Sequence, residues 1–423
     1  RCRQEIRYLP LYSVSGLWRI SQEPFMANAK WIDNLVVRAS YGLQGNIDKN
    51  TSPYLLGNYR IENILPGGSE DMIDVSGAPN KKLRWEKTHS VNAGFDFAVL
   101  NQAINLSVDY YYRKGVDLIG TQMLPLETGF EMLTVNWASM QNQGVEVALS
   151  TRNIHTKNFM WTTNFNFAYN NNKILKEALR EDALDPGREG YPVGALFALK
   201  TAGLDEEGYP MFEGKDGKAV SAMEFFKLQE WGFGATDLTA RERRELYTYV
   251  GTADCPYTGG FNNTFTYKAF ELGVNFSFDF GGKVRSQPTY SIVDFDKGRN
   301  TNRDILNRWT PENTETIFPV LLSQNERLDE YMWYSNQNEI YRNLDIWIRD
   351  LNYVRLQNIR LGYTLPTNFS RKLGMTSATI AIEGRNLLVF GSSYKNYLDP
   401  ETMSNAYATP APKSVTLSLN LNF

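Results

Sequence analysis

The last ten residues, Ser414-Val-Thr-Leu-Ser-Leu-Asn-Leu-Asn-Phe423, carry an apolar side chain at every odd position and Ser, Thr or Asn at every even one. A period of two describes a strand that is oily on one face and wet on the other. Strands in soluble sandwiches run about five or six residues, whereas strands crossing a membrane in a barrel need about 9–11 tilted residues. An alternation this long, stopping on an aromatic, asks for a transmembrane antiparallel β-barrel.

The same alternation recurs upstream, beginning near Tyr12. Leu35-Val-Val-Arg-Ala-Ser-Tyr41 and Val91-Asn-Ala-Gly-Phe-Asp-Phe97 both keep their apolar side on odd positions. Ile104-Asn-Leu-Ser-Val-Asp-Tyr110 follows after a few residues centred on Asn101 and Gln102, the signature of a tight hairpin. Val145 to Leu149 pairs with Trp161 to Tyr169, and Phe261 to Tyr267 with Phe270 to Phe280. Val354 to Leu365, Ala378 to Leu387 and the terminal run complete about eleven strands.

Between hairpins lie Gly- and Pro-punctuated segments: roughly Gly45 to Leu83, Lys114 to Trp137, Asn170 to Gly259, Gly281 to Asp345 and Phe390 to Pro412. Loops over about 12–15 residues are uncommon in compact domains, but long loops on one side and tight turns on the other are the habit of outer-membrane barrels. Strict alternation of short and long connections therefore predicts long extracellular loops and short periplasmic turns, with zero or an even number of crossings inside the Tyr191 to Phe212 stretch. Helical pieces are predicted only within the long loops, at Ile174 to Asp182, Ala240 to Val250 and Asp304 to Trp309, each too short to stand alone in water.

Composition excludes several classes. The 423 residues hold 24 Tyr, 23 Phe and 9 Trp, rings that suit membrane interfaces and ligand platforms. No apolar run approaches the roughly 18 residues of a spanning helix, and no signal peptide opens the chain. The opening strand begins almost at once, which reads as a fragment or a mature piece of something longer. A net charge of −3 with scattered basic residues argues against nucleic acid. Cys2 and Cys255 lack metal-ligand spacing and are read as free thiols.

An enzyme would have to use His89 or His155, which the strand pattern sends toward opposite ends, so no Ser-His-Asp site can converge on either. Neither histidine has a partner at metal-ligand spacing, and no metal or other cofactor is expected. Acidic pairs such as Asp294 with Asp296, or Glu206 with Glu207, read as solvated loop carboxylates rather than calcium ligands. Arg355, Arg360 and Arg385, with Asp109, Glu146, Asp279 and Glu383, are read as lumen-facing polar residues that pair among strands or with a plug.

Several segments in order resemble the C-terminal half of the barrel of SusC/RagA-type TonB-dependent outer-membrane transporters of Bacteroidetes-like bacteria. They include Ser13-Val-Ser-Gly-Leu-Trp-Arg-Ile-Ser21, Arg38-Ala-Ser-Tyr-Gly42, Leu83-Arg-Trp-Glu86, Asp109-Tyr-Tyr-Tyr-Arg113, Asn142-Gln-Gly-Val-Glu146, Gly259-Gly-Phe-Asn-Asn263, Trp309-Thr-Pro311, Leu351 to Tyr363, Gly384-Arg-Asn-Leu387 and Asp399-Pro400. The resemblance implies that residues 1–423 are about eleven C-terminal strands of a 22-stranded plugged barrel, with the plug, TonB box and first strands outside this sequence. It further implies import energised by the TonB complex, a SusD-like surface lipoprotein as lid, and an aromatic C-terminus, matched by Phe423, that the barrel-assembly machinery reads. Members import glycans or oligopeptides; oligosaccharides are favoured here, with a peptide importer of the RagA type or a passive pore as alternatives.

Flat aromatic faces flanked by amides hold sugars and peptides at wet sites. Two loop stretches combine these ingredients: Trp231 with Tyr247 and Tyr249, and Tyr331 to Asn338 with Tyr341 and Asn343. Trp333, Tyr334, Asn336 and Asn338, then Trp231, are the expected substrate contacts, with packing of the loops or of the lid as the competing role.

Overall fold

A computed structural model describes residues 9–47, 53–65, 68–75, 77–130, 132–177, 179, 182–229, 236–286, 298, 303–321, 342–391, 399–403 and 408–423. Its strands are, in chain order, β1 (Tyr12–Arg19), β2 (Ile32–Asn46), β3 (Gly57–Leu65), β4 (Gly68–Val75), β5 (Glu86–Val99), β6 (Ile104–Met123), β7 (Met132–His155), β8 (Phe159–Lys176) and β9 (Ala195–Leu199). There follow β10 (Thr201–Leu204), β11 (Pro210–Glu213), β12 (Ala219–Val220), β13 (Tyr247–Thr252), β14 (Tyr257–Tyr267), β15 (Phe270–Arg285), β16 (Ile348–Thr364), β17 (Ser377–Phe390) and β18 (Ser414–Asn422). Three short helices are α1 (Ala222–Phe225), α2 (Ala240–Glu245) and α3 (Thr367–Lys372).

One sheet dominates. Eleven strands join in the order β1-β2-β5-β6-β7-β8-β14-β15-β16-β17-β18. Every neighbour is antiparallel, and each strand lies beside the one that precedes it among these eleven. Because β8 pairs directly with β14, no described strand between them enters this sheet. Connections of 20–31, 100–103, 156–158, 268–269 and 365–376 fall on one side, and 47–85, 124–131, 177–256, 286–347 and 391–413 on the other.

The period of two settles the faces. On β18, Val415, Leu417 and Leu419 are 69%, 76% and 60% exposed, and their cross-strand partners continue the apolar face through Ile382 and Ile380 of β17. Aromatics mark the two margins of that face. Tyr169, Tyr257 and Phe280 stand in one row near the long connections, and Phe159, Tyr267, Phe270 and Tyr363 in another near the short turns. From Tyr257 to Tyr267 is about 34 Å along β14 at a strand rise of about 3.4 Å per residue. At a tilt near 45° this becomes about 24 Å, the height of a barrel's hydrocarbon band. Asn263 sits within that band, and its amide oxygen accepts from Trp161 Nε1 at 3.0 Å and Thr163 Oγ1 at 2.7 Å, so the polar group is satisfied inside the ladder.

The longest connections build their own small core. Leu199, Phe212 and Phe226 from residues 177–256 pack with Leu344 and Trp347 from residues 286–347. Backbone bonds join the two segments, with Leu199 N–H donating to Asn343 O at 2.8 Å and Val320 N–H to Gly208 O at 2.9 Å. Gly208, at φ +85°, lies under the Trp309 ring where a Cβ would have no room. β9 pairs with β13, and β10, β11 and β12 form a meander. Thr239 and Glu242 cap α2 reciprocally, which holds the Glu242 carboxyl down at about 2.

Four local expectations fail. The helix expected over Ala240 to Val250 stops at Glu245, because Tyr247 to Thr252 pair with β9 as β13. Ile174 to Asp182 is predicted helical, but Ile174 to Lys176 continue β8, because pairing with Ser139 and Met140 of β7 outweighs a helical propensity only a few residues long. The Lys114 to Trp137 segment is mostly strand, since β6 and β7 zip together as far as Met123 and Met132 and leave only 124–131 as the tip. Helices are also not confined to long loops: α3 occupies the short connection 365–376, starting behind Pro366, whose fixed φ suits a helix start.

Candidate functional site

The sheet curls toward its polar face. Asn34 of β2, Asn105 of β6, Asn164 and Asn166 of β8, Asn262 of β14 and Asn275 of β15 all line one hollow of about 450 Å³, together with Ser107 and Ser150. Each is the inward member of an alternating pair, which is why one face of five strands presents neutral amides. Such a wall offers both donors and acceptors, and Asp96 adds one carboxylate to the lining.

Beside the amides lies a charged row. Arg38 of β2 donates to Asp96 on β5 at 3.2 Å and to Asp109 on β6 at 2.6 Å, and also to Ser107 at 3.1 Å. Glu146 of β7 stands directly opposite Asp109 and has no hydrogen-bond partner among the described residues. Asp279 of β15 lines a second hollow with Asp109 and Glu146, and accepts from the Tyr353 hydroxyl.

The final long connection folds back over this wall. Arg355 of β16 is 2% exposed, and its guanidinium pairs with Asp399 and donates to Glu401 at 2.9 Å. Tyr353 donates to Glu401 as well, at 3.1 Å. Asp399 accepts from the Glu401 and Ala411 amides at 3.0 and 3.3 Å, closing the turn. Burial pushes the Asp399 carboxyl up, but the Arg355 guanidinium and these amides more than offset it and hold it below the usual aspartate range. Arg360 pairs with Glu271 of the neighbouring strand at 2.9 Å, as expected of an inward arginine, whereas Arg385 pairs with Glu383 on its own strand at 2.6 Å.

At the mouth, Tyr249 of β13 meets Tyr191 at 4.7 Å between ring centres, and Phe197 of β9 lies 5.2 Å from Tyr191. Tyr247 accepts a hydrogen bond from the Asn343 amide at 3.4 Å, so one described residue of each stretch singled out in the sequence meets the other here. Trp231, Trp333, Tyr334, Asn336, Asn338 and Tyr341 lie outside the described residues. The Tyr191 and Phe197 rings escaped the sequence reading, because only the β9–β13 pairing carries them to Tyr249. His89 bonds the Tyr41 hydroxyl at 2.8 Å on the outer face, and His155 ends β7 at the opposite side. Cys255 is a free thiol at the foot of β14, and burial pushes it up to about 11, which leaves it unreactive.

An antiparallel wall with an apolar band of membrane height outside and amides within is that of an outer-membrane β-barrel. The family described as "TonB dependent receptor-like, beta-barrel" matches residues 11–196. TonB-dependent receptor P3 of Formosa agariphila is 27% identical over 96% of this chain and 41% of its own length. SusC, a TonB-dependent receptor of Bacteroides thetaiotaomicron, is 24% identical over 96% of this chain and 39% of its own length. Among solved structures, the RagAB peptide importer in its closed-closed state superposes with a TM-score of 0.75 at 23% identity, covering 100% of this chain and 44% of that one. The chain is thus similar over nearly its whole length to the barrels of TonB-dependent receptors, SusC among them, and has the fold of an outer-membrane β-barrel. It spans about two-fifths of the length of the curated relatives it matches.

Proposed function

We propose that residues 1–423 form the C-terminal half of the barrel of an energy-coupled importer of large polar nutrients, oligosaccharides before other classes. The amide-rich wall carries this reading: six asparagines and two serines around one hollow, whose one acidic lining residue, Asp96, is already engaged by Arg38, match hydroxyl groups, which both donate and accept, better than they match charged cargo. The coverage of about two-fifths of each relative leaves room for the other strands, a plug and the segment on which the TonB complex acts. A SusD-like lipoprotein would sit over the long connections, and the barrel-assembly machinery would read Phe423. Trp333, Tyr334, Asn336, Asn338 and Trp231 stay the proposed substrate contacts of the loops.

Oligopeptide import is the second reading, favoured by the likeness in fold to a structure whose name is that of a peptide importer. Competition decides between them. In cells making the complete protein, uptake of fluorescent oligosaccharides should fall when unlabelled oligosaccharides are added and stay constant with oligopeptides. It should also stop when the proton gradient is collapsed; uptake that persists would indicate a passive pore.

A further inference from the structure

The outer face carries a feature that transport does not use. Above the ring row of Tyr41 and Tyr112, the outward positions of four adjacent strands read His89 of β5, Lys114 of β6, Gln141 of β7 and Lys173 of β8, in direct register. Their outward direction follows from the alternation. Tyr112 reaches Gln141 at 3.4 Å on this side, whereas Tyr111 and Arg113 lie together on the other and Tyr111 bonds Asn170 there at 2.9 Å. Lys114 lies two residues beyond Tyr112, and Lys173 four beyond Tyr169, about 7 and 14 Å along their strands. At a barrel tilt this is about 5–10 Å above the aromatic margin, the depth of lipid headgroups.

Neither lysine forms an ion pair or hydrogen bond with any described residue, although other cations nearby are engaged. Lys87 and Arg84 hold Asp117 at 3.3 and 2.5 Å, and the Lys176 ammonium sits 3.5 Å over the Trp137 ring. Two strand spacings, about 10 Å, separate the Lys114 and Lys173 backbones. Flexible stems allow both ammoniums to converge on one anion between them, with the Gln141 amide below.

We propose that Lys114 and Lys173, with Gln141 and His89, form a site for the phosphate of an outer-leaflet lipid headgroup. The occupant is a lipid rather than cargo because the row faces away from the lumen, and rather than free phosphate because it stands directly on the apolar band where acyl chains lie. Charge complementarity supplies the attraction, each lysine near an anionic surface being worth about a factor of five. The site also ties the barrel at a fixed height, since rings below and phosphates above hold one strand segment from both sides. The inference rests on the outer-membrane orientation proposed above.

The test uses the complete protein in nanodiscs of phosphatidylcholine containing a minor fraction of phosphatidic acid, with the lipid retained after extraction counted by native mass spectrometry. Wild type should enrich phosphatidic acid, Lys114→Gln with Lys173→Gln should reduce the enrichment by about twenty-five-fold, and the double arginine variant should retain it. Unchanged enrichment in the glutamine variant, with unchanged heat-modifiable migration showing a folded barrel, would overturn the site. Displacement of the lipid by millimolar inorganic phosphate would overturn the lipid as its occupant. Because nanodiscs present both orientations, a wrong loop topology would appear in surface labelling and leave this result standing.

Discussion

Arg38 on β2 reaches Asp109 on β6 at 2.6 Å although β5 runs between them. The residue of β5 in register with both is Gly94, so the guanidinium crosses an empty place in the wall. A Cβ there would meet Asp109 itself and come within 2.9 Å of Val108 O. The triple Arg38–Gly94–Asp109 is thus a bridge over one strand, and it ties three strands by side chains as well as by the ladder.

Gly94→Val should break that bridge and destabilise the barrel by about 1–3 kcal/mol through overpacking. Asp109→Asn keeps the space and removes only the charge, and should cost less because the Arg38 side chain is 38% exposed and Asp96 remains. Midpoints of urea unfolding in lipid vesicles would rank the two; a valine variant as stable as wild type would remove the bridge from the account.

Arg38 and Asp109 were legible as inward residues because they obey the period of two, and so were all eleven strands of the sheet. Their partnership was not, since Arg38 and Asp109 are 71 positions apart and no local pattern announces that a glycine lies between them. The same holds for Arg355, whose inward direction the alternation gives but whose partners arrive from the 391–413 connection. The loop core around Phe212 was invisible for a related reason: its strands are four residues or so long, too short for periodicity to separate strand from turn.

Removing one member of the Arg355–Asp399 pair leaves the other charge buried. Asp399→Asn leaves Arg355 with Glu401 alone and should cost about 1.5–3 kcal/mol locally, whereas replacing both by apolar residues of similar size should cost less. Hydrogen exchange at Glu401 and Ala411, whose amides Asp399 accepts, reads the effect directly. Equal protection in wild type and the asparagine variant would show that the turn does not depend on the pair.

Acid should act on the same turn. The Asp399 carboxyl is held below its ordinary value in the folded state, so the unfolded turn binds a proton first as pH falls. The stabilisation is complete above about pH 4–5, the range of an unfolded aspartate, and is lost as pH drops through the depressed value. Protection of the Ala411 amide should therefore be flat from neutral pH to about pH 5 and decline below about pH 4. A decline near neutrality would point to another group.

Phe212 is fully buried between Phe225 and Phe226, with ring centres at 4.8 and 5.2 Å. Phe212→Ala should destabilise the loop core by about 3–5 kcal/mol while leaving the membrane strands folded, because that core shares no side chain with the apolar band. Limited proteolysis should cut within residues 177–256 in the variant and spare them in wild type, with identical heat-modifiable migration. If Trp333→Ala with Tyr334→Ala then lowers ligand affinity by about 1–3 kcal/mol on an intact cap, those rings contact cargo; weakened lipoprotein association alone would assign them to the lid.

Topology gives the sharpest test of the whole arrangement. Lys157 lies in the tight turn between β7 and β8, and Lys215 in the long connection between β8 and β14, both exposed and on opposite sides of the sheet. The aromatic rows fix a band about 24 Å high between these sides, so no impermeant reagent can reach both from one compartment. Cys2 and Cys255 are replaced by Ser in both variants so that neither competes for the label. In intact cells, Lys215→Cys in the complete protein should react with a membrane-impermeant maleimide, and Lys157→Cys should react only after the outer membrane is permeabilised. Labelling of Lys157→Cys in intact cells, or the reverse order of the two, would invert the barrel and move every proposed substrate contact to the periplasmic side.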